Sequence, residues 1–149
     1  MIGPFTGQWE FLSNFYPAVV DYEGDAYPTV EHAFQAARGT DPAERRVIRA
    51  ARTPREARAL GGKIENAHPD WDRVKVDIMF QLVWQKFHRH KDLRDKLLAT
   101  GNEVIADINH TGDTFWGAYK GEGGNRLGKI LMHVRAGLRR EFLNRIPGT

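Results

Sequence analysis

The chain has 149 residues, of which 41% are hydrophobic and 28% are charged, so we expect one compact globular domain over 1–149 rather than a disordered segment or two domains. It has no cysteine and no apolar run near the ~18 residues that a membrane span needs. Its first residues also do not have the pattern of a secretory signal peptide. These features predict a cytoplasmic protein without disulfides, thiolate chemistry or membrane contact.

The net charge of +3 is unevenly distributed along the chain. The segment from Arg38 to Lys63 holds eight basic and three acidic residues, a local charge of +5. Such a segment indicates either a surface that collects phosphate or nucleic acid, or an ordinary solvated face of arginine-rich helices.

The first thirty residues predict a small β element. Aromatic residues separated by Gly and Pro over 7–17 favour short strands, and the alternation from Ala18 to Tyr27 around Glu23-Gly24 predicts a hairpin. Thr29 then caps a helix from Val30 to Arg38.

Helical patterns dominate the rest of the chain and predict a mainly helical α+β fold. Proline at the first helical position, capping residues and apolar periodicity mark the helices. They run from Asp41 to about Ala51, from Thr53 to Gly61, from about Asp70 to Arg89, from Lys91 to Thr100 and from about Leu127 to Phe142. Before the last helix we expect an extended run from Val104 to Asp107 and a long loop over 109–124.

Glu31 and His32 are the first residues that could carry chemistry. A carboxylate and an imidazole at a helix start suit acid–base catalysis, whereas the alternative is that Glu31 complements the helix dipole and His32 points to solvent. No histidines have a metal-ligand spacing, so we expect neither a metal nor a cofactor.

The second group of candidate residues lies in the long loop and the helix start that follows it. Carboxylates, Trp116, amides and glycines at this place suit a polar ligand, because glycines admit a close backbone and a helix start offers free N–H groups. The alternative is a compact loop whose Asp and Asn side chains cap turns. On the long helix, Lys75 shares a face with Trp71 and either reaches for solvent or points an amine into a pocket.

Several short motifs in a fixed order resemble the NADAR family, also called the YbiA-like family, over nearly the whole chain. The first is Phe11-Leu12-Ser13-Asn14-Phe15. The other matching stretches are 27–37, 59–61, 70–79, 86–87, 97–101, 116–117 and 124–132. The resemblance implies a single YbiA-like domain.

The resemblance also implies N-glycosidase chemistry, the cleavage of a bond between a ribose anomeric carbon and a nitrogen. Members of the family resemble enzymes that act on ribosylaminopyrimidine phosphates of riboflavin synthesis or on ADP-ribose attached to guanine in nucleic acid. The run from Asp113 to Gly117 looks more like the ADP-ribose-directed branch. We therefore expect an ADP-ribosyl-guanine hydrolase whose partners are ADP-ribose-containing substrates, including modified DNA or RNA.

The resemblance places several residues at motif positions, and the chemistry of ribosyl C–N cleavage suggests a role for each of them. Glu31 would act as base or electrostatic stabiliser, Asp107 would activate water or bind a ribose hydroxyl, and Lys75 would hold phosphate or attack the anomeric carbon to form an imine. The expected substrate-binding residues are Ser13, Asn14, Phe15, Arg38, Trp71, Asp113, Trp116, Gly117 and Asn125. Arg38 replaces the family's usual lysine and stays protonated, and Asp107 replaces a glutamate and has a shorter reach.

Two functions from another class stay open. The arginine-rich segment also fits a nucleic-acid-binding module without catalysis, although phosphate binding gains nothing from carboxylates in the loops. The second open function is that of a sensor that binds NAD or ADP-ribose without cleaving it. The departures from the family's usual residues at Arg38 and Asp107 are compatible with such a sensor.

Overall fold

The computed structural model describes residues 1–145 and confirms a mainly helical fold with one small antiparallel sheet. The last four residues of the expected domain, 146–149, lie outside the described part. The chain groups into two compact units, which we call the internal unit (Asn14–Lys86) and the terminal unit (Met1–Ser13 with the chain from Phe87 onward). Within residues 1–145 we find no helix with the length and apolarity needed to cross a membrane.

The predicted hairpin opens the internal unit. Strand β1 (Val20–Tyr22) pairs antiparallel with β2 (Asp25–Tyr27), and Val20 lies opposite Tyr27 with both side chains buried. The turn between the strands has positive φ at Glu23 (47°) and Gly24 (89°), as a tight two-residue hairpin turn requires. The alternation in the sequence therefore locates this sheet correctly.

Three short helices follow, and each begins at the cap that the sequence predicts. Helix α1 (Val30–Ala37) is capped by Thr29, α2 (Pro42–Arg49) by Asp41 and α3 (Pro54–Gly61) by Thr53. Every residue of α1 is buried, and the three helices pack against one another. A fully buried α1 places the side chains of its first turn inside the internal unit.

The long helix α4 (Trp71–Arg89) confirms the predicted periodic stretch. Its buried stripe contains apolar residues at helical spacing and continues to the end of the internal unit. The buried residues of this stripe are Ile78, Met79, Leu82, Val83 and Lys86. Lys86 is therefore a charged group on an otherwise apolar stripe.

In the terminal unit, one element predicted from the sequence is wrong. Residues Gly7–Leu12 form a 3₁₀ helix rather than a strand. Phe11 and Leu12 are adjacent and both buried, whereas a strand would point them to opposite faces. The remaining helices are α5 (Lys91–Ala99) and α6 (Arg126–Asn144), and Ile105 lies in an extended run that pairs with Ile2 through one parallel bridge.

Candidate active site

Glu31 is a buried carboxylate in the first turn of α1, with 3% of its surface exposed. Its Oε1 accepts hydrogen bonds from Gln35 Nε2 and from Arg58 Nε, both at 2.9 Å. The Arg58 guanidinium also lies over the Phe15 ring, 4.7 Å from its centroid. Within residues 1–145, no hydrogen-bond donor is assigned to Oε2 of Glu31. One oxygen thus fixes the carboxylate and the other can act on a substrate.

Gln35 connects Glu31 to the end of α3. Its amide nitrogen donates to Glu31, and its Oε1 is buried with no hydrogen-bond partner in the described part of the chain. A Cβ on Gly61 would lie 1.9 Å from this Oε1. Gly61 is therefore needed so that α3 can approach Gln35 closely.

His32 points inward, contrary to the alternative that placed it in solvent. Its Nε2 lies 2.9 Å from the carbonyl oxygen of Ala51, and its Nδ1 lies 2.7 Å from Thr29 Oγ1. A carbonyl only accepts, so Nε2 carries the proton and Nδ1 accepts from the hydroxyl. With both ring nitrogens used, His32 has a structural role at the start of α1.

The predicted residues Asn14 and Phe15 lie directly against this helix start. The carbonyl of Asn14 accepts the backbone N–H of Glu31 at 3.2 Å, and the Asn14 side chain is buried with Nδ2 at 3.5 Å from Met79 Sδ. Ser13, at the end of the terminal unit, is half-buried and donates its backbone N–H to Glu10. The internal unit therefore brings Asn14, Phe15 and Glu31 together.

Trp71 and Lys75 lie in the first two turns of α4. The Trp71 ring packs on Phe34 with centroids 4.9 Å apart. Lys75 Nζ donates to Asp72 Oδ1 at 3.0 Å, and 21% of the Lys75 side chain is exposed. The Lys75 amine therefore pairs with a carboxylate that lies on the surface.

Arg38 lies at the C-terminal end of α1 and is half-buried. Its carbonyl accepts the backbone N–H of His68 at 2.7 Å. No carboxylate within residues 1–145 pairs with its guanidinium, which leaves this charge available to an anion.

Lys86 was missed by the sequence prediction of site residues. Its side chain is 1% exposed, its Nζ lies 5.7 Å from the centroid of the Tyr16 ring, and burial lowers its pKa from 10.5 to about 7. Its position four residues after Leu82 and three after Val83, on the apolar face of α4, was the signal that could have identified it. A buried amine that titrates near neutral pH is a candidate for function.

The titration of Lys86 predicts a pH dependence of stability. Between pH 7 and 10.5 the unfolded chain holds a proton that the folded chain has released, so the free energy of unfolding rises with pH in this range. We expect the melting temperature of wild type, relative to Lys86→Met, to increase from pH 7 to pH 10 and to stay constant below pH 6. Parallel melting curves at all pH values would contradict the lowered pKa.

The candidate residues of the terminal unit lie in the loop before α6. Asn125 has a left-handed backbone (φ 47°); its Oδ1 accepts the N–H of Asp107 at 2.8 Å and its Nδ2 donates to the carbonyl of Ile105 at 3.0 Å. A Cβ on Gly117 would lie 2.2 Å from the Asp107 carbonyl oxygen. Asn125 and Gly117 thus fix the backbone that carries the half-buried Asp107 carboxylate.

Asp113 and Trp116 lie further along the same loop. Asp113 Oδ1 accepts the backbone N–H groups of Phe115 and Trp116 at 3.1 and 3.0 Å. The half-buried Trp116 ring meets Phe115 edge to face with centroids 4.9 Å apart. The Asp113 carboxylate therefore has the turn-capping role of the alternative interpretation, and it orients Trp116. Across residues 1–145, no three His, Asp or Glu side chains are grouped to hold a metal ion.

Comparisons with known proteins agree with these motifs. A family model described as NADAR domain matches residues 4–139. A protein named N-glycosidase Npun_R5314 from Nostoc punctiforme is 42% identical over 133 residues, which cover 86% of this chain and 85% of that protein. A riboflavin biosynthesis protein from Vibrio vulnificus is 35% identical over 84% of this chain, but the match spans only 34% of that protein.

A solved structure is similar over almost the entire chain. The NMR structure of the E. coli protein YbiA superimposes with a TM-score of 0.86 at 31% sequence identity, and the match covers 99% of this chain and 88% of that one. The fold predicted from the motifs is therefore confirmed by a solved relative.

Proposed function

This chain belongs to the NADAR family and is a hydrolase of the N-glycosidase class, and we propose that it removes ADP-ribose from ADP-ribosylated guanine in nucleic acid. In this reaction water adds to the anomeric carbon of ribose, the bond from that carbon to the guanine nitrogen breaks, and the nitrogen takes up a proton. The single observation that carries the proposal is the buried Glu31 carboxylate with one oxygen fixed and one available.

Glu31 suits the electrostatic part of this reaction. Departure of the base leaves positive charge on the ribose ring, and a carboxylate that is already oriented stabilises that charge without reorganising. A charge pair at about 4 Å is worth about 4 kcal/mol at an effective dielectric near 20, and burial keeps water from weakening it. Arg58 and Gln35 supply the orientation because both donate to the same oxygen.

Two arginines of the internal unit favour ADP-ribose over a substrate with a single phosphate: Arg58, which contacts Glu31, and Arg38, at the C-terminal end of α1. The outer nitrogens of Arg58 and the guanidinium of Arg38 make no ion pair with residues 1–145 other than the bond from Arg58 Nε to Glu31. The pyrophosphate of ADP-ribose and the phosphates of the attached nucleic acid offer several negative charges to arginine, whose planar group binds phosphate with two parallel hydrogen bonds. A ribosylaminopyrimidine phosphate would use fewer of these cations.

The other candidate residues are proposed for the roles that the chemistry of the reaction suggests. We propose that Asp107 activates water or binds a ribose hydroxyl, that Trp116 stacks on base or sugar, and that Lys75 holds phosphate. The remaining proposed substrate-binding residues are Ser13, Asn14, Phe15, Trp71, Asp113, Gly117 and Asn125. Asp113, Gly117 and Asn125 would support binding through the backbone that they fix.

A release assay tests the proposal. The protein is incubated in separate reactions with an ADP-ribosylated guanine oligonucleotide and with a ribosylaminopyrimidine phosphate, and the products are separated by chromatography. We expect free ADP-ribose from the first reaction and a much slower release of ribose phosphate from the second. Release from neither substrate would support a binding protein without catalysis and would contradict the proposal.

A second candidate function is hydrolysis of ribosylaminopyrimidine phosphates in riboflavin synthesis. The names of two relatives favour it, the Vibrio vulnificus protein and a chloroplastic riboflavin biosynthesis protein of Zea mays that is 34% identical to this chain. The matches cover 34% and 26% of those proteins, so their activity as whole proteins does not transfer directly. Faster release from the pyrimidine substrate in the same assay would favour this function.

A further inference from the structure

Three arginines at three-residue intervals, one just before α3 and two within it, lead toward Glu31. We call Arg52, Arg55 and Arg58 the α3 row. Arg55 and Arg58 are three residues apart in the helix and therefore share a face, about 4.5 Å apart along its axis. Arg52 precedes the cap, and its backbone N–H donates to Glu56 Oε2 at 3.0 Å, which holds it against the first turn.

The cations of this row are available to a ligand. All three side chains are exposed, and within the described residues no carboxylate pairs with the guanidinium of Arg52 or Arg55. Glu56 is the acidic residue of α3, and its carboxylate is engaged by the Arg52 backbone N–H. The neighbouring cations Arg46 and Lys63 are likewise exposed and unpaired in the part that the structure describes.

An aromatic ring lies at the inner end of the row. The Arg58 guanidinium lies over the Phe15 ring, 4.7 Å from its centroid, so the last cation of the row packs on an aromatic side chain. A line of cations that ends at an aromatic side chain is typical of proteins that bind single-stranded nucleic acid.

We infer that the α3 row binds the phosphates of a single nucleic-acid strand next to the modified base. The inference rests on the proposed function and adds the partner and the surface that holds it. A base within a duplex does not reach a carboxylate that is 3% exposed, so enzymes of this kind act on unpaired or extruded bases. A strand along α3 would deliver such a base to Glu31.

Binding of unmodified DNA tests the surface independently of catalysis. Affinity for a labelled single-stranded oligonucleotide is measured by fluorescence anisotropy over a series of salt concentrations. We expect the slope of log K against log salt to fall by about 1.4 in the Arg52→Gln/Arg55→Gln variant, because each lost phosphate contact removes about 0.7. Arg52→Lys/Arg55→Lys should keep most of the wild-type slope.

The matched control removes two positive charges from a different helix, α6. Lys129 and Arg140 are exposed on α6 and unpaired in the region from 1 to 145. Lys129→Gln/Arg140→Gln should keep the wild-type slope. An equal effect of both double variants, or no effect of the first, would overturn the inference, and so would tighter binding of the duplex form of the same oligonucleotide.

Failure of the proposed function would give a different pattern. Suppose that the wild-type protein releases no ADP-ribose from any substrate, and that only Arg52→Gln/Arg55→Gln reduces the salt dependence of DNA binding. The binding surface is then supported and the proposed reaction is wrong. If ADP-ribose is released but the salt dependence of DNA binding is unchanged in that variant, the proposed reaction is supported and the binding surface is wrong. When both hold, the loss of kcat/KM in the variant should be larger for the modified oligonucleotide than for ADP-ribosylguanosine.

Discussion

Replacing Glu31 by Gln should lower turnover by a factor of about 10² to 10³ while the protein stays folded. The magnitude is that of removing one oriented electrostatic group from a buried site. Gln keeps an oxygen that can accept from Arg58 or Gln35, so the contacts of the helix start are largely retained. The measurement is kcat for ADP-ribose release, with the far-UV spectrum and melting temperature as tests of folding.

The matched control for this variant is Glu65→Gln. Glu65 is exposed in the internal unit, and its side chain makes no hydrogen bond or ion pair with residues 1–145. It should retain wild-type turnover. Near-normal rates in Glu31→Gln would rule out the assignment of Glu31 as the main charged group of the reaction.

Replacing Gly61 by Ala should reduce both stability and turnover. The added Cβ would lie 1.9 Å from Gln35 Oε1 and 2.9 Å from Gln35 Cβ, so α3 or Gln35 must move. Overpacking of this kind costs about 1–3 kcal/mol. For a chain of this length, the melting temperature should fall by roughly 2–4 °C per kcal/mol. Displacement of Gln35 would also remove one of the two donors that orient Glu31.

The neighbouring glycine provides the control. A Cβ on Gly62 would lie 3.5 Å from the Ala59 carbonyl oxygen, which is an ordinary contact. Gly62→Ala should therefore leave turnover unchanged and the melting temperature equal or slightly higher, since the unfolded chain loses freedom. Equal effects of the two substitutions would show that the close approach of α3 to Gln35 is unimportant.

The local features of the fold could be predicted from the sequence because their causes are local. Thr29, Asp41 and Thr53 cap their helices through backbone groups two or three residues away, and the hairpin turn depends on two adjacent residues. Residue types and positions made Glu31 and the loop carboxylates candidates, and the resemblance to a family added the reaction in which they would act. Their individual roles stay predictions.

The features that escaped prediction depend on partners far apart in the chain. Arg58 reaches Glu31 across 27 residues, and the pattern of α3 alone describes it as one more solvated arginine. Gly7–Leu12 was predicted as strand because its aromatic residues favour strands, but burial of both Phe11 and Leu12 requires a different local geometry. Tertiary packing overrides local propensity at this place.

The hydrogen bond between the Asn14 carbonyl and the Glu31 N–H has a mechanical consequence. The backbone of the segment proposed to touch the substrate is hydrogen-bonded directly to Glu31, the residue whose carboxylate we propose to face the ribose. A displacement of Asn14 by a ligand would be transmitted to the first turn of α1 through one bond. Substrate binding at this segment and the position of the Glu31 carboxylate would then depend on the same movement. A ligand that does not contact the segment correctly would also leave the carboxylate in the wrong position.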